Sequence, residues 1–100
     1  MDFKVILTPT AHQDLREIVE FIARDDRKAA EKFGYTLLDN ALSLTKFPDR
    51  GRLVPEFKDE QIREIILRSY RIIYYVEKTW KEVYVIRFWH AARGEPDVSI

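Results

Sequence analysis

Cysteine is absent from this chain, which excludes both a disulfide framework and a thiolate zinc site. Histidine is nearly absent too, and His12 and His90 are too few for a histidine-rich metal centre. The only glycines, Gly34, Gly51 and Gly94, are isolated, so no glycine-rich loop can cradle a phosphate. A nucleophile elbow and carboxylates at metal-ligand spacing are also missing. No cofactor and no metal are expected. No window approaches the roughly 20 apolar residues that span a bilayer, and MDFKVILTPT has no apolar run of signal-peptide length before charge resumes. These absences predict a soluble, cytoplasmic protein without a membrane partner.

Net charge is also lacking, because 17 Lys and Arg balance 17 Asp and Glu, but the balance hides a split. Residues 1–49 carry 7 basic and 9 acidic side chains (−2), residues 50–93 carry 10 and 6 (+4), and residues 94–100 carry none and 2 (−2). A domain built mainly to grip nucleic acid usually holds a larger surplus, since each neutralised phosphate adds affinity through counterion release. What the chain has in quantity is apolar material, 46% of its residues, including six Phe, five Tyr and two Trp. That is enough for the core of one domain over residues 1–100, stabilised by packing alone.

Residues 3–8 alternate as a short strand, with Phe3, Val5 and Leu7 on one face, and Pro9 ends it. Thr10 and Gln13 fit a capping box, after which Ala11, Leu15, Ile18 and Ile22 recur at helical spacing. Asp14, Glu17 and Glu20 read as the solvated face of this helix. Asp25 and Asp26 interrupt the pattern and offer an N-cap. Ala30, Phe33, Leu37, Ala41 and Leu44 then define a second helix ending near Phe47. Residues 48–61, with Pro48, Gly51 and Pro55, predict a loop crossing the surface. Three segments rich in Ile, Val, Tyr and Phe follow, at residues 62–67, 70–77 and 82–90, separated by short polar links. They predict an antiparallel meander. The expected fold is therefore α+β and two-layered: an N-terminal strand, an antiparallel two-helix hairpin, then a three-stranded antiparallel meander, with the helices on one face of the sheet. The first strand is expected to pair with the last or with another member of the meander, and residues 94–100 to form a tail.

A two-residue turn at Arg68-Ser69 pairs Leu67 with Tyr70, which places Glu64 and Ile66 on the face of Arg71 and Ile73 and brings Glu64 within reach of Arg71. Between the last two strands, a shift of one residue decides whether Arg87 faces the same side as Arg71. If the two converge, with His90 or Arg93 at the rim, they form a cluster that binds phosphate or stabilises phosphoryl transfer, His90 serving as acid or base. The alternative is structural: Arg71 pairs with Glu64, Arg63 and Arg87 lay their stems over aromatic rings, and His90 satisfies a backbone carbonyl. The rings of the meander can stack nucleobases, but about half of them should face the core. Trp80, in a turn between Lys78 and Lys81, is the ring expected to be exposed and to touch a partner.

The order of motifs resembles a family. Thr8-Pro9, Ala11 and Asp14-Leu15, then Phe47-Pro48, Gly51-Arg52 and Val54-Pro55-Glu56, followed by Arg63-Glu64, Tyr70-Arg71-Ile72-Ile73-Tyr74, Ile86-Arg87 and His90-Ala91-Ala92-Arg93, look like the RelE/ParE toxin superfamily. The resemblance covers nearly the whole chain. It implies a strand, two helices and a curved antiparallel sheet, and a toxin of a type II pair held inactive by a cognate antitoxin that is acidic where it meets the basic half. ParE-like members inhibit DNA gyrase, whereas RelE-like members enter the ribosomal A site and cut mRNA. The GR-VPE loop, the ending His-Ala-Ala-Arg and the near-neutral charge favour the ParE-like branch, with Arg63, Trp80 and Arg93 on the target or antitoxin surface. Under the nuclease alternative Arg71 and Arg87 hold the scissile phosphate and His90 is acid or base. His90 then falls where YoeB-like nucleases keep a histidine beside a tyrosine, but its chain neighbours are Trp89 and Ala91. A third possibility is a non-toxic member that only binds an antitoxin.

Overall fold

In the computed structural model, which describes residues 2–98, Lys4–Leu7 forms the first strand (β1) and presents Val5 and Leu7, with Phe3 before it, to the helical layer. Helix α1 spans Pro9–Ala23. Its cap is Thr8 and not Thr10, because Pro9 occupies the first helical position, where no N–H is needed, and the Thr8 hydroxyl accepts from Ala11 N at 3.2 Å. Helix α2 spans Arg27–Leu42 and begins as expected, with Asp26 accepting from Ala29 N at 3.1 Å. It ends earlier than Phe47. The Ser43 hydroxyl donates to Asn40 O at 2.6 Å, and the chain tightens into a 3-10 turn over Ser43–Thr45.

Strands β2 (Arg52–Leu53), β3 (Ile62–Leu67), β4 (Tyr70–Glu77) and β5 (Glu82–His90) complete a five-stranded sheet ordered β1-β5-β4-β3-β2. The meander has the expected boundaries. β1 pairs with the last strand, and the pair is parallel, with Lys4 opposite Glu82 and Leu7 opposite Val85. The segment read as an irregular loop holds β2, which pairs antiparallel with β3. Gly51 makes that approach possible: a Cβ there would lie 2.6 Å from Glu64 O and 2.7 Å from Tyr74 Oη. Its N–H donates to Tyr74 Oη at 2.9 Å, which gives the buried phenol a partner inside the core.

The helices cover one face of the sheet. Ile18, Phe33, Leu37 and Leu44 meet Ile65, Ile72, Tyr74, Val83, Val85 and Phe88 there, with the helical periodicity supplying one layer and strand alternation the other. The opposite face is also covered. Ile62, Ile73, Ile86 and Trp89 gather beneath Val54 and Phe57 from the β2–β3 connection and Val98 from the segment expected to be a tail, in which Pro96 is buried.

On this second face Glu64 is fully buried and sits between two arginines. Arg52, directly opposite on β2, donates to it at 2.8 Å, and Arg71, diagonal on β4, donates through Nε. The other two nitrogens of Arg71 form a fork on Glu56 at 2.8 and 2.7 Å. The expected Glu64–Arg71 pair is thus the centre of a four-residue network. The hydrogen bonds from Arg71 hold the Glu56 carboxyl down at about 2, against an ordinary 4.5. Arg71 is pushed above the usual arginine value, first by Glu56 and then by Glu64, so its charge is permanent.

Two outcomes are expected. Gly51→Ala should destabilise the fold by about 1–3 kcal/mol in chemical denaturation, because the added carbon meets backbone and a buried hydroxyl rather than a flexible side-chain end. Since the folded carboxyl of Glu56 is depressed, its contribution is present above pH 4.5 and is lost as pH falls toward about 2. Unfolding free energy should therefore drop more steeply across that window in the unaltered chain than in Glu56→Gln.

Candidate functional site

The register of β4 and β5 answers where Arg87 points. Tyr74 pairs with Val85 but Ile73 pairs with Arg87, so Ile86 is the extra residue of a β-bulge. Arg87 consequently lies on the side of Ile73, Arg71 and Trp89, while Phe88 returns to the helical side opposite Ile72. The two arginines share a face without forming a free cationic pair. Arg71 is held by Glu64 and Glu56, and Arg87 by Asp14, which it meets in a fork at 2.7 and 2.8 Å. A third Arg87 nitrogen donates to Asp97 O at 2.9 Å, and the guanidinium carbon lies 4.8 Å from the centre of the Trp89 ring. The hydrogen bonds to Asp14 raise the Arg87 pKa further, against the opposing effect of burial.

Asp14 is the residue that sequence reasoning misplaced. It is buried, not solvated. β1 ends at Leu7, so beyond Val85 the outer edge of β5 has no strand neighbour, and α1 serves that edge instead. The Thr8 hydroxyl donates to Val85 O at 2.9 Å, and Asp14 accepts from Phe88 N at 3.1 Å while binding Arg87. The signal was present in the spacing: position 14 lies three residues after Ala11 and four before Ile18, within the buried stripe of the helix. Glu17 and Glu20 do face solvent.

His90 closes β5 opposite Tyr70, and the two rings meet edge to face with centres 4.9 Å apart. Tyr70 also packs on Phe33 at 5.4 Å. The tyrosine beside His90 is therefore supplied across the hairpin, where chain order alone could not reveal it. His90 does not donate to a carbonyl as expected. Its Nδ1 accepts from Ala92 N at 3.0 Å, capping a 3-10 turn over Ala91–Arg93. In the neutral ring that contact leaves the proton on Nε2. Tyr70 and His90 separate two depressions. One, of about 410 Å³, runs between α1 and the end of β5, with Glu17, Phe21, Phe88 and Arg93 around it. The other, of about 260 Å³, runs toward Ile22, Phe33 and Arg68. Arg68, at a positive φ of 54°, stands 5.1 Å over the Phe33 ring, and Arg93 stands 4.1 Å over Trp89. The floor of the cleft is apolar, with Arg68 at one end and Arg93 beside Asp14 and Glu17 at the other.

The other expected surface residues lie elsewhere. Trp80 is 75% exposed in the turn before β5, and Arg93 follows its far end, a strand of nine residues and so about 30 Å away. Arg63 belongs to the Trp80 end, where it donates to Gly51 O at 2.8 Å, lies 3.6 Å from Asp49 and borders a polar groove of about 540 Å³. Among the described residues its guanidinium stands over no aromatic ring. Among the described residues no three His, Asp or Glu side chains gather as metal ligands, and no helix is long and apolar enough to cross a membrane.

Comparison with known proteins places this geometry. A family model described as the ParE toxin of the type II toxin-antitoxin system parDE matches residues 5–94. Toxin RelE2 of Caulobacter vibrioides is 34% identical over 91 residues, which are 90% of this chain and 97% of that protein. A solved chromosomal ParDE system from P. aeruginosa shares the fold with a TM-score of 0.72 at 18% identity, over 88% of this chain and 95% of the other. The RelBE2 toxin-antitoxin complex of Mycobacterium tuberculosis gives 0.68 at 19% identity, over 90% and 99%. The residues matched by the family model contain both helices and all of the sheet but the first residue of β1, including Asp14, Arg71, Arg87 and His90, and the chain belongs to the ParE toxin family, within the RelE/ParE superfamily of type II toxin-antitoxin systems.

Proposed function

We propose that this toxin is ParE-like in action: it inhibits DNA gyrase through protein contacts and is neutralised by a cognate antitoxin. The observation that carries this reading is the state of its arginines. A nuclease needs cations whose hydrogen-bonding edges are open to a scissile phosphate. Arg71 has its fork on Glu56 and its Nε on Glu64, and Arg87 has its fork on Asp14. Both forks are occupied within the chain. The zero net charge agrees, since a protein that grips mRNA on the ribosome gains from a basic surplus this chain lacks. The cleft beside His90 and the exposed Arg93 suit contact with a protein surface, because arginine and aromatic side chains dominate the energetics of such interfaces.

One observation favours the second reading, a ribosome-dependent endoribonuclease. The Tyr70–His90 pair places a titratable imidazole against a phenol at the edge of a cleft, and burial raises the Tyr70 pKa. A histidine in that setting can move a proton if an RNA backbone is delivered to it.

The two readings separate in vitro. Antitoxin-free, refolded protein should abolish supercoiling by purified gyrase, and Arg93→Ala should weaken that inhibition by about tenfold or more while the melting curve stays unchanged. Full supercoiling in the presence of folded toxin would reject the proposal. In cells, transcripts should stay intact during growth arrest, and His90→Ala should still arrest growth. Cleavage of translated mRNA that disappears in His90→Ala would establish the nuclease instead.

A further inference from the structure

Arg93 is held differently from the arginines of the sheet. Arg52, Arg63, Arg71 and Arg87 each have a carboxylate partner. Arg93 is exposed, and among the described residues no carboxylate forms a salt bridge with it. Its guanidinium instead stands 4.1 Å over the Trp89 ring. An indole attracts a cation through its π face rather than through an acceptor atom, so this contact leaves the N–H donors of Arg93 available to something else.

The ring is itself fixed. Trp89 is 4% exposed, packs with Ile73 and Ile86, and donates from Nε1 to Gly94 O at 3.0 Å. Gly94 ends the 3-10 turn at a φ of +83°, a conformation that disfavours any L side chain. The turn that carries Arg93 is thus clamped by consecutive residues of β5: His90 Nδ1 accepts from Ala92 N, and the Trp89 indole donates at the far end. The same ring has the Arg87 guanidinium 4.8 Å from its centre. Two bare cations on one indole would repel each other, but the fork on Asp14 neutralises Arg87 and so permits the second.

We propose that Trp89 is a positioning residue of the toxic surface: its indole holds the Arg93 guanidinium in the orientation in which the target meets it, while its N–H closes the turn beneath. Trp89 is buried and does not itself touch the target. An exposed arginine ordered only on binding would lose rotamer freedom at that moment, whereas one already seated on a fixed ring has lost it during folding. Arg87 needs no such support, because Asp14 holds it whether or not the ring is there. The inference rests on Arg93 belonging to the toxic surface, as proposed above, and is independent of which target that surface meets.

The test uses the full chain. Trp89→Leu removes the π face and the N–H together, whereas Trp89→Phe keeps a smaller π face. With folded protein matched by far-ultraviolet circular dichroism, Trp89→Leu should need about fivefold more protein for half inhibition of gyrase, and Trp89→Phe should recover most of that loss. In the Arg93→Ala background, Trp89→Leu should cost nothing further, because the group it positions is gone. A merely structural tryptophan would weaken both backgrounds alike. Growth arrest in cells, read across the same series, does not presume a target. The same pattern in cells with supercoiling untouched would reject gyrase and support the role of Trp89. Full potency of folded Trp89→Leu, an equal loss in both backgrounds, or full potency of Arg93→Ala would each overturn the proposal. Should Trp89→Leu fail to fold, nuclear magnetic resonance of the unaltered chain decides. The side-chain protons of Arg93 should be displaced upfield by the ring current of Trp89, and ordinary positions would overturn the proposal.

Discussion

The extra residue at Ile86 determines what every later side chain of β5 faces. Strict alternation from Val85 would carry Arg87 into the helical layer beside Ile72 and push Phe88 out to the other side. A guanidinium in that apolar layer would be costly without a partner. With the bulge, Phe88 completes the helix-side core, Arg87 reaches Asp14 around the strand edge, and His90 lands opposite Tyr70. Asp14 makes the arrangement self-consistent. One carboxylate accepts the Phe88 N–H that the end of β1 leaves without a strand partner, and it also supplies the counter-charge for the side chain that the bulge redirects.

The few buried charges of this molecule are all paired. Glu64, Arg71, Asp14 and Arg87 are all buried or nearly so, and among the described residues no buried side-chain nitrogen or oxygen lacks a partner. Buried ion pairs of this kind add little net stability over a well-packed apolar alternative, because desolvation offsets most of the attraction. Their effect is on alternatives to the native pairing. A slip of one residue between β3 and β4 would turn Arg71 to the other face of the sheet, away from Glu64, which would keep only Arg52.

The helices and the meander were legible because their signals are local. Ala30, Phe33, Leu37 and Ala41 mark one helical face by spacing alone, and the Arg68-Ser69 turn correctly paired Glu64 with the face of Arg71. Contacts closed over long sequence distances were not legible. β2 is a strand of two residues with no periodicity to detect, and it exists because Gly51 permits close approach to Glu64 and Tyr74. Asp14 carries the residue type of a solvated face and the position of a buried one, and its partner lies 73 residues away. The register ambiguity at Arg87 was visible as an ambiguity, but a bulge has no reliable mark in a run such as VYVIRFW. Tyr70 stood out only as one aromatic among many until the hairpin set it against His90.

The parallel pairing of β1 with β5 carries a consequence for synthesis. β1 is made well before its partner residues 82–85, and every native neighbour of β1 within the sheet is on that strand. A contact of such sequence separation cannot form until β5 has left the ribosome, and closing it is the slow kind of folding step. Asp14 waits for Arg87 and Phe88 in the same way. A nascent chain therefore remains without its finished sheet or its cleft until β5 has emerged.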